Sequence, residues 1–261
     1  MDIKKTARIF YWLMCRDLTI FFRDYKDYLL NVFIFTIIEV GVFAYLLPYF
    51  GLDAQFGTFV VGGIVVSVSL FEAMHSATLF VDDLDNDRQI TYDLTLPVSS
   101  SVIFIQRAFL YTCRMLLMGV FVIPLSKIIY WSKIDLSQFS LFKFMLIFLV
   151  FNLMYGFFGL WMISFIAEMD KVRNIWIRVV YPLWFIGGFL SSWQSIYVVS
   201  PFFSYFALFD PITYVMEGIR STIMGSAGFL NFWICLGAIV IFMVLFAWRG
   251  MYLLRKRLDT V

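Results

Sequence analysis

Residues 58–101 read T-F-V-V-G-G-I-V-V-S-V-S-L-F-E-A-M-H-S-A-T-L-F-V-D-D-L-D-N-D-R-Q-I-T-Y-D-L-T-L-P-V-S-S-S. The first half, Thr58 to Phe80, is an apolar run of the length that crosses a bilayer, where about 20 residues at about 1.5 Å rise span about 30 Å of hydrocarbon. The second half, Val81 to Ser101, is acidic and closes at Pro97, after which Ser99 to Ser101 can cap a new helix. Asp82, Asp83, Asp85 and Asp87 suit the positive N-terminal end of a short helix. Ile90, Tyr92, Leu94 and Leu96 follow them and give the insert an apolar content that a plain solvated loop would waste. A segment of this kind, returned at once to the membrane, is suited to docking on a partner in water.

The remainder of the chain repeats the apolar theme. Its 261 residues are 62% hydrophobic and 15% charged, with a mean hydropathy of +0.87, which places it in the membrane class. Six spans are expected, at Leu29–Phe50, Thr58–Phe80, Phe109–Tyr130, Phe144–Ile166, Ile175–Trp193 and Phe229–Tyr252. The fifth carries Arg178 and Pro182 and should be kinked. Placing both termini in the cytoplasm puts most of the 20 Lys and Arg residues on the inner face, among them Lys4, Lys5, Arg8, Arg16, Lys171, Arg173 and Arg255. The expected fold is therefore an all-α polytopic membrane protein, with a transmembrane domain over residues 28–261.

Residues 1–27 precede that domain. Ile3, Ala7, Phe10, Tyr11, Met14, Leu18, Phe21, Phe22 and Tyr25 recur among charges at helical spacing, which predicts an amphipathic helix lying in the inner interface rather than a cleaved signal peptide. The net charge of +2, with no basic patch away from the span ends, argues against nucleic acid as a partner. Cys15, Cys113 and Cys235 are too dispersed to write a disulfide framework or a metal knuckle.

A second insert, from Gln194 to Gly228, is apolar but broken by Pro201, Asp210 and Pro211, which predicts a pair of re-entrant outer helices. Asp210 before Pro211 is an N-cap with proline at the first helical position. On the helix that follows, Glu217 and Arg220 are three residues apart and can pair. Inside the expected spans stand Glu39, Glu72, His75 and Arg114, with Arg107 just below the third. Each is costly at mid-membrane, about 2.5 to 3.5 kcal/mol unless paired or hydrated, and Glu72 is expected to pair with Arg107 or Arg114. Glu72-Ala-Met-His75 has the spacing of a di-iron ligand pair, but such sites need two copies and the chain has one histidine, so no metal is expected.

The amphipathic lead-in, the six spans, the insert D-R-Q-I-T-Y-D-L-T-L-P-V-S and the later D-P-x-x-Y-x-x-E-G-x-R together resemble the permease subunits of ABC-2 type exporters over essentially the whole chain. Phe56 to Ser69 is most similar to the drug and lipooligosaccharide branch. The polysaccharide branch has a Tyr/Leu-Gly-x-x-Trp pattern entering the first span, where this chain has L-N-V-F-I-F. The resemblance implies a coupling helix at Asp87, Arg88, Thr91, Tyr92, Asp93 and Leu94, close to the family pattern but without its Gly. It implies an outer gate at Asp210, Pro211, Tyr214, Glu217 and Arg220.

By the same resemblance, two permease chains, a homodimer, would meet across a path and two copies of a separate ABC ATPase would dock beneath them. ATP and Mg would be bound by that partner, with no cofactor in this chain, which has no G-x-x-x-x-G-K-[ST] sequence. The chain would be a transport subunit, not an enzyme, in the cytoplasmic (inner) membrane. Its 32 Phe against 14 Tyr and 8 Trp tilt the cargo toward amphipathic, lipid-like or drug-like molecules, glycolipids included. Two other classes compete: a proton-coupled secondary transporter using Glu39, Glu72 and His75, and a structural membrane subunit.

Overall fold

The structure, a computed structural model, describes residues 3–51, 53, 55–83, 89–166 and 169–258. All regular elements among them are helices. Five are long and apolar enough to cross a membrane: Tyr25–Phe50, Phe56–Asp82, Ser100–Ile129, Leu141–Ile163 and Phe232–Lys256.

The chain opens with α1 (Ile3–Arg23), whose buried residues Leu13, Asp17 and Phe21 recur every fourth position on one face. Then come α2 (Tyr25–Val40), extended by a π-turn at Gly41–Leu46 and a 3-10 turn at Leu47–Phe50, and α3 (Phe56–Asp82). A short α4 (Gln89–Leu94) precedes α5 (Ser100–Gly119), which α6 (Val122–Ile129) continues after a break. The third crossing thus begins nearer the insert than the expected Phe109, and Arg107 lies within its helix. Next is α7 (Leu141–Ile163). The last long helix, α13 (Phe232–Leu258), follows a set of shorter elements.

At the centre stands α3, buried along most of its length against α5, α7, α12 and the turns after α2. Close approach of helices without a water-driven hydrophobic force depends on small residues. At the crossing of α5 and α7, a Cβ on Gly156 would sit 2.5 Å from the Ala108 carbonyl oxygen and 2.7 Å from Thr112 Oγ1. Only glycine fits there.

Helices α7 and α13 run parallel. Lys143 Nζ lies over the Phe232 ring near their starts, at 5.8 Å, and Trp161 meets Phe246 at 5.1 Å toward their ends. The chain between them must therefore return across the bundle, and it does so in pieces. The fifth expected span, Ile175–Trp193, is corrected here. It begins earlier, as α8 (Met169–Ile175), passes through a π-turn at Trp176–Val180 and ends with α9 (Tyr181–Ile186). Pro182 has no N–H to give and crowds the preceding turn, and the widened π-turn absorbs it. The run climbs beside α3: Trp176 packs on Phe71 at 5.8 Å, and Trp184 Nε1 donates to Ser67 Oγ at 2.7 Å. Its charged start, with Lys171, Arg173 and Arg178, keeps it out of the set of self-sufficient apolar spans.

Three short helices complete the chain: α10 (Trp193–Val199), α11 (Pro201–Ala207) and α12 (Pro211–Ile223). The first two expose Val198, Val199, Phe202 and Phe203, while nearly every residue of α12 is buried. α12 packs on α3, α7 and α13 at the end of the bundle opposite α4.

Gly156→Val should lower stability by about 1 to 3 kcal/mol, the usual cost of overpacking, whereas Gly159→Ala, whose Cβ would meet nothing closer than 3.5 Å, should be near neutral. Thermal unfolding of both variants in one detergent checks the difference.

Candidate functional site

Two polar clusters lie at opposite ends of the bundle, with one ion pair between them. The first holds α4. Asp93 has no exposed surface and accepts from Arg16 Nη1 and Nη2, both at 2.8 Å, and from Arg107 Nη2 at 2.9 Å. Asp17 accepts from Arg16 Nε at 2.8 Å and Gln106 Nε2 at 2.9 Å, with Arg107 Nη1 at 3.5 Å. Two carboxylates and two guanidiniums thus tie α1, α4 and α5 into one unit. The fork of Arg16 matches the Asp93 carboxylate bidentately, the stronger kind of ion pair. Hydrogen bonding to Asp93 raises the Arg16 pKa above its ordinary value and outweighs the opposing effect of burial.

The rest of α4 divides by face. Ile90 is fully buried, and its N–H donates to Asp83 Oδ2 at 3.0 Å. Leu94 packs half-buried on the core, and Tyr92 is 67% exposed. Among the expected docking residues, then, Tyr92 is presented outward while Asp93 faces the protein. Asp87, Arg88 and the side chain of Thr91 lie outside the described residues.

Midway along the bundle, Arg114 Nε donates to Glu72 Oε1 at 2.9 Å, and Ser76 Oγ approaches the same oxygen at 3.4 Å. The guanidinium also lies over the rings of Phe21 at 4.9 Å and Tyr28 at 5.3 Å. Of the two arginines weighed as partners for Glu72, the structure uses Arg114, and Arg107 is committed to Asp93 and Asp17. His75 Nε2 is 3.5 Å from Tyr28 Oη, on an exposed face. Glu39 is half-buried on α2 with no ion-pair partner among the described residues.

The second cluster is built on α12. Asp210 caps it, accepting from Ile212 N at 2.9 Å, with Pro211 in the first turn. Glu217 and Arg220 do not form the ion pair that their spacing allows, which corrects that expectation. Each is taken up by backbone. Glu217 accepts from Trp193 N at 2.8 Å and Leu230 N at 2.9 Å, holding the first residue of α10 and the chain just before α13. Arg220, without exposed surface, donates to the carbonyls of Gly188 at 2.6 Å, Phe189 at 2.7 Å and Phe59 at 3.2 Å, and stacks on the Phe59 ring at 3.6 Å. The turn that supplies two of those carbonyls needs Gly188 at φ 91°, a left-handed conformation costly for other residues. Tyr214 is half-buried, its ring 6.2 Å from Phe242 of α13.

The residues of both clusters fall within 8–224, the stretch that matches the family model described as ABC-2 type transporter, apart from Leu230. The chain belongs to the ABC-2 type transporter family. No curated protein and no solved structure matches it. As an ABC-2 membrane protein it is integral to a membrane and carries a transport permease domain, in a family that normally works with an ABC ATPase.

Sequence reasoning on this ABC-2 chain did not single out Asp17, Gln106 or Phe59 as site residues, and counted Arg16 only as an inner-face charge. One signal for Asp17 was available: it sits at the spacing of Leu13 and Phe21 on the apolar stripe of α1. A carboxylate on such a stripe must have a partner. Phe59 gives no such signal, because its role is that of a carbonyl and a ring face met by α12.

Glu72→Gln and Arg114→Met should each destabilise the protein, and the double variant should lose less than the two single losses added together. A coupling of about 0.5 to 3 kcal/mol is expected for neighbours in one ion pair. A double-mutant cycle by thermal or denaturant unfolding measures it.

Proposed function

We propose that this chain is the permease subunit of an ATP-driven ABC exporter in the cytoplasmic membrane, moving an amphipathic, lipid-like or drug-like substrate out of the cytoplasm or the inner leaflet. The observation that carries the reading is the state of α4, pinned on one face by Asp93 and Ile90 while it offers Tyr92 to water. A helix held by two guanidiniums from two other helices passes a push to both. An ATPase closing beneath α4 would move α1 through Arg16 and α5 through Arg107. ATP and Mg belong to that partner, in two copies beneath a homodimer of permeases, and both termini of this chain face the cytoplasm.

The orientation follows the basic residues, which gather at the α4 end and leave the α12 end outside. There, α12 with its Glu217 and Arg220 staples forms the rigid base of an outer gate, and α10 and α11 rest half-immersed beside it. Substrate chemistry is read from a cleft of about 260 Å³ between α2 and α3, lined by Tyr28, Phe35, Phe71 and Met118 together with Asn31, Glu72 and His75. Apolar and aromatic walls with a few polar groups suit an amphipathic cargo. A proton relay through Glu39, Glu72 and His75 is the less favoured reading, because Glu72 is held by Arg114.

Tyr92→Asp should leave the permease folded and inserted, since the ring is exposed, while reducing both co-purification of the ATPase and ATP-dependent transport at least about tenfold, the scale of losing one interfacial hot spot. Unchanged transport with an unchanged complex would remove α4 as the docking element. The orientation is read separately: in a chain with its native cysteines replaced, Ser226→Cys, at an exposed position in the loop between α12 and α13, should react with a membrane-impermeant thiol reagent added from outside. Reaction only from the cytoplasmic side would reverse the topology.

A further inference from the structure

The half of α3 nearer α4 departs from the burial of the rest of that helix. Every residue from Gly57 to Leu70 except Phe59 is buried, whereas Phe71, Glu72, His75, Thr78 and Leu79 form a strip that is partly or wholly uncovered. The strip lies between two cavities. One is the α2–α3 cleft, and the other, of about 560 Å³, opens toward α8 and the π-turn, where His75 and Thr78 face Arg173, Trp176, Ile177 and Tyr181. His75 lines both, so the two cavities meet at its ring.

The order of groups along the second cavity follows from register. Trp176 packs on Phe71 and Trp184 bonds Ser67, so α3 and the α8–α9 run point in opposite directions. At about 1.5 Å per residue, His75 stands about 6 Å from Phe71 toward α4, and Arg173 about 4.5 Å from Trp176 toward the same end. His75 and Arg173 therefore share a level, and Trp176, Ile177 and Tyr181 continue from it deeper into the bundle.

Charge on this lining is one-sided. Among the described residues that line the two cavities, Glu72 is the single carboxylate, and Arg114 holds it at 2.9 Å. Arg173 is exposed and makes no hydrogen bond or ion pair among the described residues. His75 reaches Tyr28 Oη at 3.5 Å through Nε2, which leaves Nδ1 open. The planar fork of a guanidinium matches a carboxylate or a phosphate.

We propose that the groove takes an amphiphile with an acidic headgroup, a carboxylate or a phosphate monoester, held by Arg173 and His75 with its chain along Trp176, Ile177 and Tyr181. The assignment rests on the reading of this chain as an exporter, and it narrows the amphipathic cargo to an acid. A cationic headgroup would be repelled by Arg173, and a choline phosphodiester would bring a second, positive charge to the same place.

The test uses the full chain in a neutral maltoside detergent and a palmitate that carries a photoactivatable diazirine on its chain, with labelled peptides located by mass spectrometry. Labelling should concentrate in residues 172–181 and be displaced by palmitate or by palmitoyl lysophosphatidic acid, the more effective of the two marking the headgroup as carboxylate or phosphate. Palmitoyl lysophosphatidylcholine and hexadecyltrimethylammonium should displace it at least about tenfold less well, the scale of one charge-assisted hydrogen bond. Arg173→Gln changes an exposed side chain, so it should fold normally and weaken labelling by a similar factor, and Arg173→Glu should turn the preference toward hexadecyltrimethylammonium. Equal displacement by all four, labelling spread evenly over the spans, or labelling unmoved in Arg173→Gln would overturn the proposal. Transport is read separately, in vesicles with the partner ATPase. An acid that binds in the groove without being moved would leave the site standing and remove the export reading, whereas charge-blind binding with ATP-driven transport intact would remove the site and leave the export reading.

Discussion

A guanidinium enclosed by protein in a membrane has to find an acceptor for its donors, because hydrated lipid headgroups and water are out of its reach. Arg220 meets that demand with three carbonyls from two places that are distant in sequence, Phe59 and the Gly188–Phe189 turn, and with the face of the Phe59 ring. Each hydrogen bond to a charged group contributes about 1.5 to 3 kcal/mol, and losing one strands a buried donor. The geometry is therefore strongly selected. It fixes α12 against the start of α3 and against the turn after α9, and Glu217 fixes the start of α10 and the lead into α13 from the same helix. The whole end of the bundle is arranged around one short helix.

The opposite end solves the same electrostatic problem with other means. There the buried charges are met by charges, Asp93 and Asp17 by Arg16 and Arg107, in a network that crosses three helices. Partial exposure of Arg16 keeps the desolvation cost lower than for a wholly enclosed pair. The difference matters mechanically. Backbone staples from one helix join α12 to α10 and to the lead into α13, whereas the ion network, with two arginines shared between two carboxylates, ties α1, α4 and α5 to one another.

Between these ends, the broken return of α8, the π-turn and α9 shows what a polar start and a proline do to a crossing. Lys171, Arg173 and Arg178 favour water at one end, and Pro182 cannot continue a regular ladder. The run is stabilised by its neighbour, through Trp176 and Trp184 on Phe71 and through Ser67. The central position of α3 is thus needed twice, once for the core and once as the track for a segment that could not stand alone.

The sequence by itself determined the membrane class, the long crossings at α2, α3, α5–α6, α7 and α13, the cap at Asp210, and the need of Glu72 for an arginine. Those follow from local hydropathy, helix-end chemistry and the cost of a lone charge, all of which are written in short windows. Tertiary structure decided which arginine answered Glu72, that Asp93 faces inward while Tyr92 faces out, and that Glu217 and Arg220 each bond backbone groups rather than each other. Spacing of three on a helix permits an ion pair, but burial made backbone groups the nearer partners. Choices of that kind depend on which distant elements arrive alongside, and no window of sequence contains both sides of them.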